Sequence, residues 1–173
     1  MNRRLPPGVT LRTELRPGDV GWIVRRHGIL YAREHGFDAT FEAYVAAPLA
    51  ACVLAPSTRD RIWIAERDGE NVGCAAVVTE TSPDVAQLRW LLVEPEARGQ
   101  GVGRALLAEA VEFAREAGYA AMVLWTVSAL EHAARLYRSM GFAKVEGVPG
   151  QRWGVGVTEE KYALPLGGAD DAG

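Results

Sequence analysis

The chain has 173 residues, 49% of them hydrophobic, with 19 basic against 22 acidic residues and a formal net charge of −3. This length and apolar content predict one domain with its own core, and the lack of a basic excess argues against a nucleic-acid-binding protein. Cys52 and Cys74 lie in apolar runs and are expected to be buried free thiols. No apolar run approaches the ~20 residues of a membrane span, and Pro6-Pro7-Gly8 stands where a signal peptide would be apolar. We therefore expect a cytoplasmic protein without a membrane partner.

Apolar periodicity divides the chain into a flexible lead-in over 1–9, a single domain over 10–166 and a disordered tail over 167–173. The predicted segments are, in chain order, a strand at 10–15, helices at 20–35 and 39–54, strands at 61–66, 72–79 and 85–93, a helix at 102–117, a strand at 120–125, a helix at 128–140, and strands at 142–146 and 155–164. Three strands joined by short turns predict an antiparallel meander. The run at 120–125 predicts a strand buried on both faces and parallel to the strand at 85–93.

Local signals predict where several of these segments begin and end. Asp19 and Asp38 are expected to cap the first two helices. Pro48 should kink or shorten the second helix, because it removes one backbone donor. Ser128 and Glu131 form a capping box for the last helix, and a turn is expected at 147–150.

A glycine-dense stretch connects the strand at 85–93 to the next helix. Gly99, Gly101 and Gly103 alternate there, which permits left-handed backbone angles and close approach of another molecule. The unpaired N–H groups of the helix N-terminus attract anions, and an arginine flanks the turn on each side. The stretch lacks the Lys-Ser/Thr of a Walker loop and the spacing of the dinucleotide fingerprint. It predicts a cradle for phosphate oxygens, the alternative being a glycine-rich turn without a ligand.

The pattern Arg98-x-x-Gly101-x-Gly103 resembles the pyrophosphate loop of the GNAT superfamily of N-acetyltransferases. A second segment, from Ala133 through Leu136-Tyr137 to Gly141-Phe142, is similar to the Ala-x-x-Leu-Tyr-x-x-x-Gly-Phe signature of the same family. The stretch at 18–37 further resembles GNAT domains fused to MarR-type regulators. The chain leaves no room for a winged helix, so a stand-alone relative is expected.

The resemblance implies an α/β (α+β) GNAT fold. Its central sheet would be mixed and mostly antiparallel, with about seven strands, helices on both faces and a splayed strand pair that admits the pantetheine arm. It also implies acetyl-CoA as cosubstrate and no metal. The residues that it assigns to acetyl-CoA are Leu91, Leu92, Val93, Arg98, Gly99, Gln100, Gly101, Val102, Gly103, Arg104, Ser128 and Tyr137.

In this family the acceptor amine attacks the thioester directly. The resemblance therefore implies that a backbone N–H near Leu92 stabilises the oxyanion and that Tyr137 protonates the leaving thiolate. Many relatives carry Asn seven residues before that tyrosine. Here the position is Leu130, so the polar contact is either absent or supplied by another residue, such as Ser128 or Thr126.

The general base is not identified by the sequence. Many relatives carry a glutamate where this chain has Gln87, and Gln cannot accept a proton at neutral pH. His27, Tyr31, Glu34 and His35 share one face of the first helix by their spacing, and in the family that helix walls the acceptor site. We predict an acceptor site formed by these four residues together with Trp153. Glu34 is the candidate base, with His27, His35 and Glu80 as alternatives. For each of them the other interpretation is a half-buried polar side chain that has a neighbouring partner and no catalytic role.

Two functions follow from the resemblance. The first is direct transfer of acetyl from acetyl-CoA to a primary amine of a small molecule or protein. The second is a non-catalytic module that binds acyl-CoA and regulates another activity. The retained Tyr137 favours the first and the glutamine at position 87 favours the second. Dimers are common in the family, so a homodimer is also expected.

Overall fold

The computed structural model describes residues 5–167, which form a seven-stranded sheet in the order β1-β2-β3-β4-β5-β7-β6. The strands are β1 (Val9–Arg12), β2 (Arg61–Arg67), β3 (Glu70–Thr79), β4 (Val85–Val93), β5 (Ala121–Val127), β6 (Ala143–Arg152) and β7 (Val155–Pro165). The helices are α1 (Asp19–His35), α2 (Ala39–Leu54), α3 (Val102–Glu116) and α4 (Glu131–Ser139). The β4–β5 pair is parallel, whereas the other neighbouring strands are antiparallel. The mixed sheet and the meander β2–β3–β4 confirm the predicted fold.

Two apolar cores cover the two faces of the sheet. One core contains Leu106 and Phe113 of α3 and Tyr137 of α4, and the other contains Ile23 of α1 and Val45 of α2. The apolar stripe of α3 explains its place, because residues that recur every three or four positions all reach the same face of a helix. The helices therefore lie on both faces of the sheet, as predicted.

Asp19 does not cap α1. Gly18 is the N-cap, in a left-handed conformation with φ of 100°, and Asp19 is the first helical residue. Its buried carboxylate accepts hydrogen bonds from the Arg12 guanidinium at 2.7 and 2.8 Å and from the Arg16 N–H at 2.6 Å. The Arg12 guanidinium lowers the pKa of Asp19 to about 2. The cap prediction was wrong because a distant cation binds this carboxylate more strongly than the local N–H groups would. Asp38 does cap α2, since its side chain accepts a hydrogen bond from Thr40 N–H.

Two further local predictions concern the helices. The shortening of α2 at Pro48 and the cap at Ser128 were wrong, whereas a kink at Pro48 stays a prediction. Pro48 does not shorten α2, which continues to Leu54, since Val45 and Leu49 on either side of it anchor the helix in the core. Ser128 does not cap α4, which begins at Glu131 after Leu130, with no side-chain cap. The backbone N–H of Ser128 donates to the carbonyl of Thr158 on β7 at 2.9 Å, so the sheet holds this residue away from the helix.

The turn expected at 147–150 lies inside β6. Gly147 pairs with Glu160 and Gly150 with Val157, and the chain reverses later, at Trp153 and Gly154, with φ of 51° and 80°. Pro149 is compatible with this strand because β6 is an edge strand, where a missing N–H costs no ladder hydrogen bond. The last hairpin is therefore longer than predicted.

At the ends of the described chain, the lead-in prediction is wrong at Val9, which pairs with Arg67 in the sheet and is buried. Residues 1–4 and the predicted tail beyond Gly167 lie outside the described residues. Cys74 is fully buried, Cys52 is only partly buried, and both are free thiols.

Candidate active site

A gap opens between β4 and β5. Their pairing stops at Gln87 opposite Val123, although both strands continue. Trp90, with φ of 52°, forms a bulge on β4 opposite Ala75, and the Cys74 thiol donates to the Trp90 carbonyl at 3.1 Å. A non-glycine residue with positive φ is strained, and the surrounding contacts must maintain it. The bulge turns the last part of β4 away from β5.

Leu91, Leu92 and Val93 form the β4 side of this gap. Leu92 is buried in the core under α1 and α2, whereas Leu91 and Val93 pack against the core under α3. Their side chains point to the two faces of the sheet, so the edge towards β5 consists of backbone groups. An extended ligand can hydrogen-bond to such an edge as a strand would.

The glycine loop lies directly beyond this gap. Gly99 and Gly101 are left-handed, with φ of 72° and 90°, and Gly101 is the N-cap of α3. No side chain caps α3, so the N–H groups of its first turn, at Val102 and Gly103, face the loop without a side-chain acceptor. The helix dipole adds positive potential at the same point. The loop has the backbone geometry of an anion cradle.

Three polar side chains of the loop have protein partners. Arg98 donates to the Val93 carbonyl at 3.1 Å and to the Glu34 carboxylate at 2.8 Å. Gln100 donates to the Glu96 carbonyl at 2.8 Å. Arg104 donates to Ser139 on α4 at 2.9 Å. These contacts fix the loop between β4, α1 and α4, and they leave its cationic groups close to the glycines.

A cavity of about 110 Å³ connects the gap to α1, α2 and the β6–β7 turn. Its walls combine apolar, aromatic and a few polar side chains. They are formed by His27, Tyr31, Phe37, Phe41, Tyr44, Val45, Gln87, Leu88, Arg89, Trp90, Leu91, Leu124, Trp125, Thr126, Val127, Leu130, Tyr137, Trp153 and Glu159. Concave sites with an aromatic lining and few polar groups are typical of small-molecule binding.

Tyr137 reaches this cavity from α4. Its ring packs against Phe142 and Tyr162, with centroids 6.1 and 6.0 Å away, and only 6% of the residue is exposed. Burial raises the pKa of Tyr137 above its ordinary value. The raised pKa keeps the hydroxyl protonated at neutral pH. Because this hydroxyl has no hydrogen-bond partner within residues 5–167, it can donate to a ligand.

Three of the predicted acceptor residues meet in the cavity. His27 and Tyr31 stack with centroids 6.0 Å apart, and Trp153 joins them from the β6–β7 turn. The hydrogen bond from Asp38 N–H to the Trp153 carbonyl, at 2.9 Å, fixes this turn to the start of α2. Burial lowers the pKa of His27 to about 4 and raises that of Tyr31 to about 12, so both are neutral near pH 7. Because Nδ1 of His27 lies 2.8 Å from the Ile23 carbonyl, that nitrogen carries the proton and Nε2 is an acceptor.

Glu34 and His35 are not part of the cavity wall. Glu34 pairs with Arg98 of the glycine loop, and His35 lines a second, more open cleft together with Ser128. The four residues predicted to share one face of α1 therefore lie in different surroundings, with His27 and Tyr31 in the cavity and the other two outside it. Of the two proposed substitutes for the missing asparagine, Thr126 lines the cavity and Ser128 does not.

Two charged groups in the cavity had received no assignment from the sequence, and a third polar group, Thr126, had been named only as a substitute for the missing asparagine. Arg89 of β4 and Glu159 of β7 come from strands on opposite sides of β5. Thr126 Oγ1 is buried and has no hydrogen-bond partner among the described residues. Alternating polar residues on β4 gave a signal for Arg89, but only the register of β7 against β5 brings Glu159 to the same face.

Two negative findings apply to residues 5–167. No helix there is both long and apolar enough to cross a membrane. The same part of the chain contains no group of three or more His, Cys, Asp or Glu residues arranged to hold a metal ion.

Comparison with known proteins agrees with this geometry. The model of the acetyltransferase (GNAT) family matches residues 26–142. An uncharacterized N-acetyltransferase of Schizosaccharomyces pombe is 36% identical over 118 residues, which are 67% of this chain and 72% of that protein. The N-acetylaspartate synthetase of Danio rerio is 32% identical over 127 residues, which are 73% of this chain but only 38% of that longer protein.

Solved structures share the fold at low sequence identity. An acetyltransferase from Salmonella typhimurium, determined with acetyl-CoA, superimposes with a TM-score of 0.72 at 22% identity, covering 95% of this chain and 99% of that one. The ribosomal-protein-S18-alanine N-acetyltransferase of Escherichia coli gives a TM-score of 0.70 at 20% identity, covering 95% and 97%.

Proposed function

Since this chain belongs to the GNAT family of acetyl-CoA-dependent N-acetyltransferases, we propose that it transfers acetyl directly to a primary amine bound in the cavity. The observation that carries the proposal is the meeting of two half-sites. The gap in the sheet and Tyr137 form one side of the cavity, and the aromatic residues of α1, α2 and the β6–β7 turn form the other.

The described residues fit acetyl-CoA. The uncapped N-terminus of α3 and the left-handed Gly99 and Gly101 suit the pyrophosphate, with Arg98 and Arg104 supplying positive charge nearby. The backbone edge of 91–93 suits the amide groups of the pantetheine arm. The other predicted loop positions, Gln100, Val102 and Gly103, shape the loop, whereas Ser128 lines the second cleft.

Acetyl-CoA supplies the acetyl group as a thioester. The cavity holds the amine against the thioester carbonyl, so that the N–C bond forms as the C–S bond breaks. A backbone N–H of β4 that faces the gap, at Leu91 or Val93 next to Leu92, donates a hydrogen bond to the carbonyl oxygen, where negative charge develops. The Leu92 N–H itself faces β3, where Leu92 pairs with Cys74. The Tyr137 hydroxyl donates a proton to the departing thiolate, and the amine loses one proton, which balances the reaction.

Proton removal from the amine needs an acceptor within the cavity. Glu159 is the carboxylate that lines it among the described residues, whereas Glu34 pairs with Arg98 outside. Arg152 donates a hydrogen bond to the Glu159 carboxylate at 2.9 Å, which holds it in place at the cavity wall. We therefore assign to Glu159 the relay of this proton, through water, to solvent, and we place Glu34 in the support of Arg98.

Acetyl-CoA binding by calorimetry and CoA release with a panel of primary amines test the proposal together. Binding with amine-dependent release supports it. Binding without release on any amine supports the alternative, an acyl-CoA-binding regulatory module. That alternative is favoured by Gln87, since neither it nor Arg89 gives the central strand a proton-accepting side chain in the cavity. Absence of binding contradicts both.

We further propose a single catalytic domain over 10–166, extended to Val9, in a cytoplasmic homodimer without nucleic-acid or membrane partners. The net charge of −3 supports the lack of a nucleic-acid partner. The edge strand β6 supports the dimer, because Val145 and Val148 are 59% and 43% exposed there. Light scattering of the purified protein tests the dimer, and a monomeric mass at micromolar concentration would contradict it.

A further inference from the structure

An unpaired cation lies in the wall of the cavity. Arg89 is partly buried, with its guanidinium carbon 5.2 Å from the Trp90 ring centroid and 5.9 Å from that of Tyr44. These aromatic faces hold the guanidinium in place. Within residues 5–167 no carboxylate forms a salt bridge with Arg89, whereas Arg98 and Arg152 each bind one. The fork of N–H donors on Arg89 is thus available to a ligand.

The cavity as a whole carries a net positive charge. Glu159, its lining carboxylate, is neutralised by Arg152, and His27 is neutral because its pKa lies near 4. Arg89 is the remaining charge among the described residues that line it. An acceptor that carries an anionic group would satisfy this charge, and a carboxylate matches the guanidinium fork with two parallel hydrogen bonds.

The aromatic wall next to Arg89 suits an apolar body. The rings of Tyr31, Phe37, Phe41, Tyr44 and Trp153 form one continuous cluster. Within it the Tyr31–Phe41 centroids are 4.4 Å apart and the Tyr44–Trp153 centroids 5.3 Å apart. Such faces gain free energy by covering aromatic or large aliphatic groups. Thr126 Oγ1, on β5, is a buried polar atom in the cavity wall without a partner in the described chain, which independently indicates that a polar ligand completes the cavity.

We infer that the acceptor is a free α-amino acid with an aromatic or large aliphatic side chain, and that Arg89 binds its carboxylate. This inference rests on the proposed function, because it names the amine of the same reaction. The amino group would receive the acetyl group, and the side chain would cover the aromatic wall. A peptide N-terminus is disfavoured, since its first residue carries an amide where Arg89 offers a carboxylate site.

The test compares L-phenylalanine with L-phenylalaninamide, which differ in the group that faces Arg89. Because the amide also lowers the pKa of the α-amine, each kcat/KM is expressed for the neutral amine. The ratio of their kcat/KM values, measured by CoA release at saturating acetyl-CoA, should be ~10 or more in the wild type, as expected for a charged hydrogen-bonding pair. Arg89→Gln should reduce this ratio to near 1, mainly through the KM of the acid, and Arg89→Lys should retain part of it. Arg25→Gln removes an exposed arginine of α1 and serves as the matched control.

A wild-type ratio near 1, or a high ratio that survives Arg89→Gln, would overturn the inference. Calorimetric titration of both compounds into the CoA-saturated protein separates this failure from that of the proposed function. Binding of L-phenylalanine that depends on Arg89, but without CoA release, upholds the carboxylate site and overturns catalysis. CoA release with the amide or a peptide, but not with L-phenylalanine, upholds catalysis and overturns the carboxylate site. Circular dichroism confirms that each variant is folded.

Discussion

Replacing Tyr137 by Phe removes the hydroxyl that is proposed to protonate the leaving thiolate and leaves the other side chains of the site unchanged. The phenylalanine ring keeps the contacts with Phe142 and Tyr162, and the lost hydroxyl has no partner within residues 5–167. The free energy of unfolding should therefore change by less than ~0.5 kcal/mol. Affinity for acetyl-CoA should stay within about threefold of the wild-type value, because the glycine loop is untouched.

The loss in turnover can be bounded from the proton transfer itself. General acid catalysis contributes ~10²–10⁴-fold. A phenol of pKa ~10 gives its proton to a thiolate of pKa ~8.5 at a cost of ~2 kcal/mol, and burial raises the pKa of Tyr137 further. The contribution should thus lie near the lower limit, and we expect kcat to fall ~100-fold.

The assay is steady-state CoA release, with calorimetry for acetyl-CoA affinity. Tyr162→Phe is the matched control. The Tyr162 hydroxyl bonds to Glu160 and Arg138 and does not line the cavity, so this variant should lose ~1 kcal/mol of stability while keeping its kcat. A Tyr137→Phe kcat within twofold of the wild type would refute the assignment of the acid. Equal losses in kcat and in acetyl-CoA affinity would instead make Tyr137 a binding residue.

Three more predictions test the loop, the base and the fold. Gly101→Val should weaken acetyl-CoA binding, measured by calorimetry, ~100-fold or more. Gly118, at the other end of α3, has a φ of 77° against 90° for Gly101, so Gly118→Val should bind normally and serves as the control. Equal losses of affinity in the two variants would indicate general backbone strain and contradict the phosphate cradle. Glu159→Gln should reduce kcat/KM for the amine more than Glu34→Gln does, and the reverse ranking would return the base to Glu34. Asp19→Asn should lower the free energy of unfolding by ~1–2 kcal/mol at pH 7. Because the folded pKa of Asp19 is lowered to about 2, wild-type stability is full above pH ~4 and falls as the pH drops through 2. Urea unfolding of the wild type and Asp19→Asn at pH 7 and pH 2 checks this. A stability difference between the two proteins that is as large at pH 2 as at pH 7 would contradict the ionic origin.

Several parts of the fold and site could be predicted because their signals are local. The spacing of Gly99 and Gly101 before an amphipathic helix predicted the left-handed loop and its uncapped helix N-terminus. The apolar run at 120–125 predicted a parallel strand, and β5 pairs in that way with β4. It did not predict that Trp125 would be 36% exposed, because the gap between the strands opens there.

Other local signals failed where a distant group supplied a stronger partner. Asp19 has the side chain of an N-cap, but Arg12 and Asn71 hold its carboxylate. Ser128 begins a capping-box sequence, but its backbone is hydrogen-bonded to β7. In both cases a long-range hydrogen bond outweighed a contact that is worth ~1 kcal/mol.

The order of the elements, the glycine-rich loop and the place of Tyr137 on α4 could be predicted from the amino-acid sequence, since each depends on residues within one or two helical turns. The polar groups that share the cavity could not be predicted in this way, because long-range strand pairing brings them together. Arg89 and Glu159 lie 70 positions apart in the chain and meet through the registers of β4, β5 and β7, while Glu34 is drawn to Arg98. Strand register is set by packing across the whole sheet, and a shift of one residue would turn each of these side chains to the opposite face.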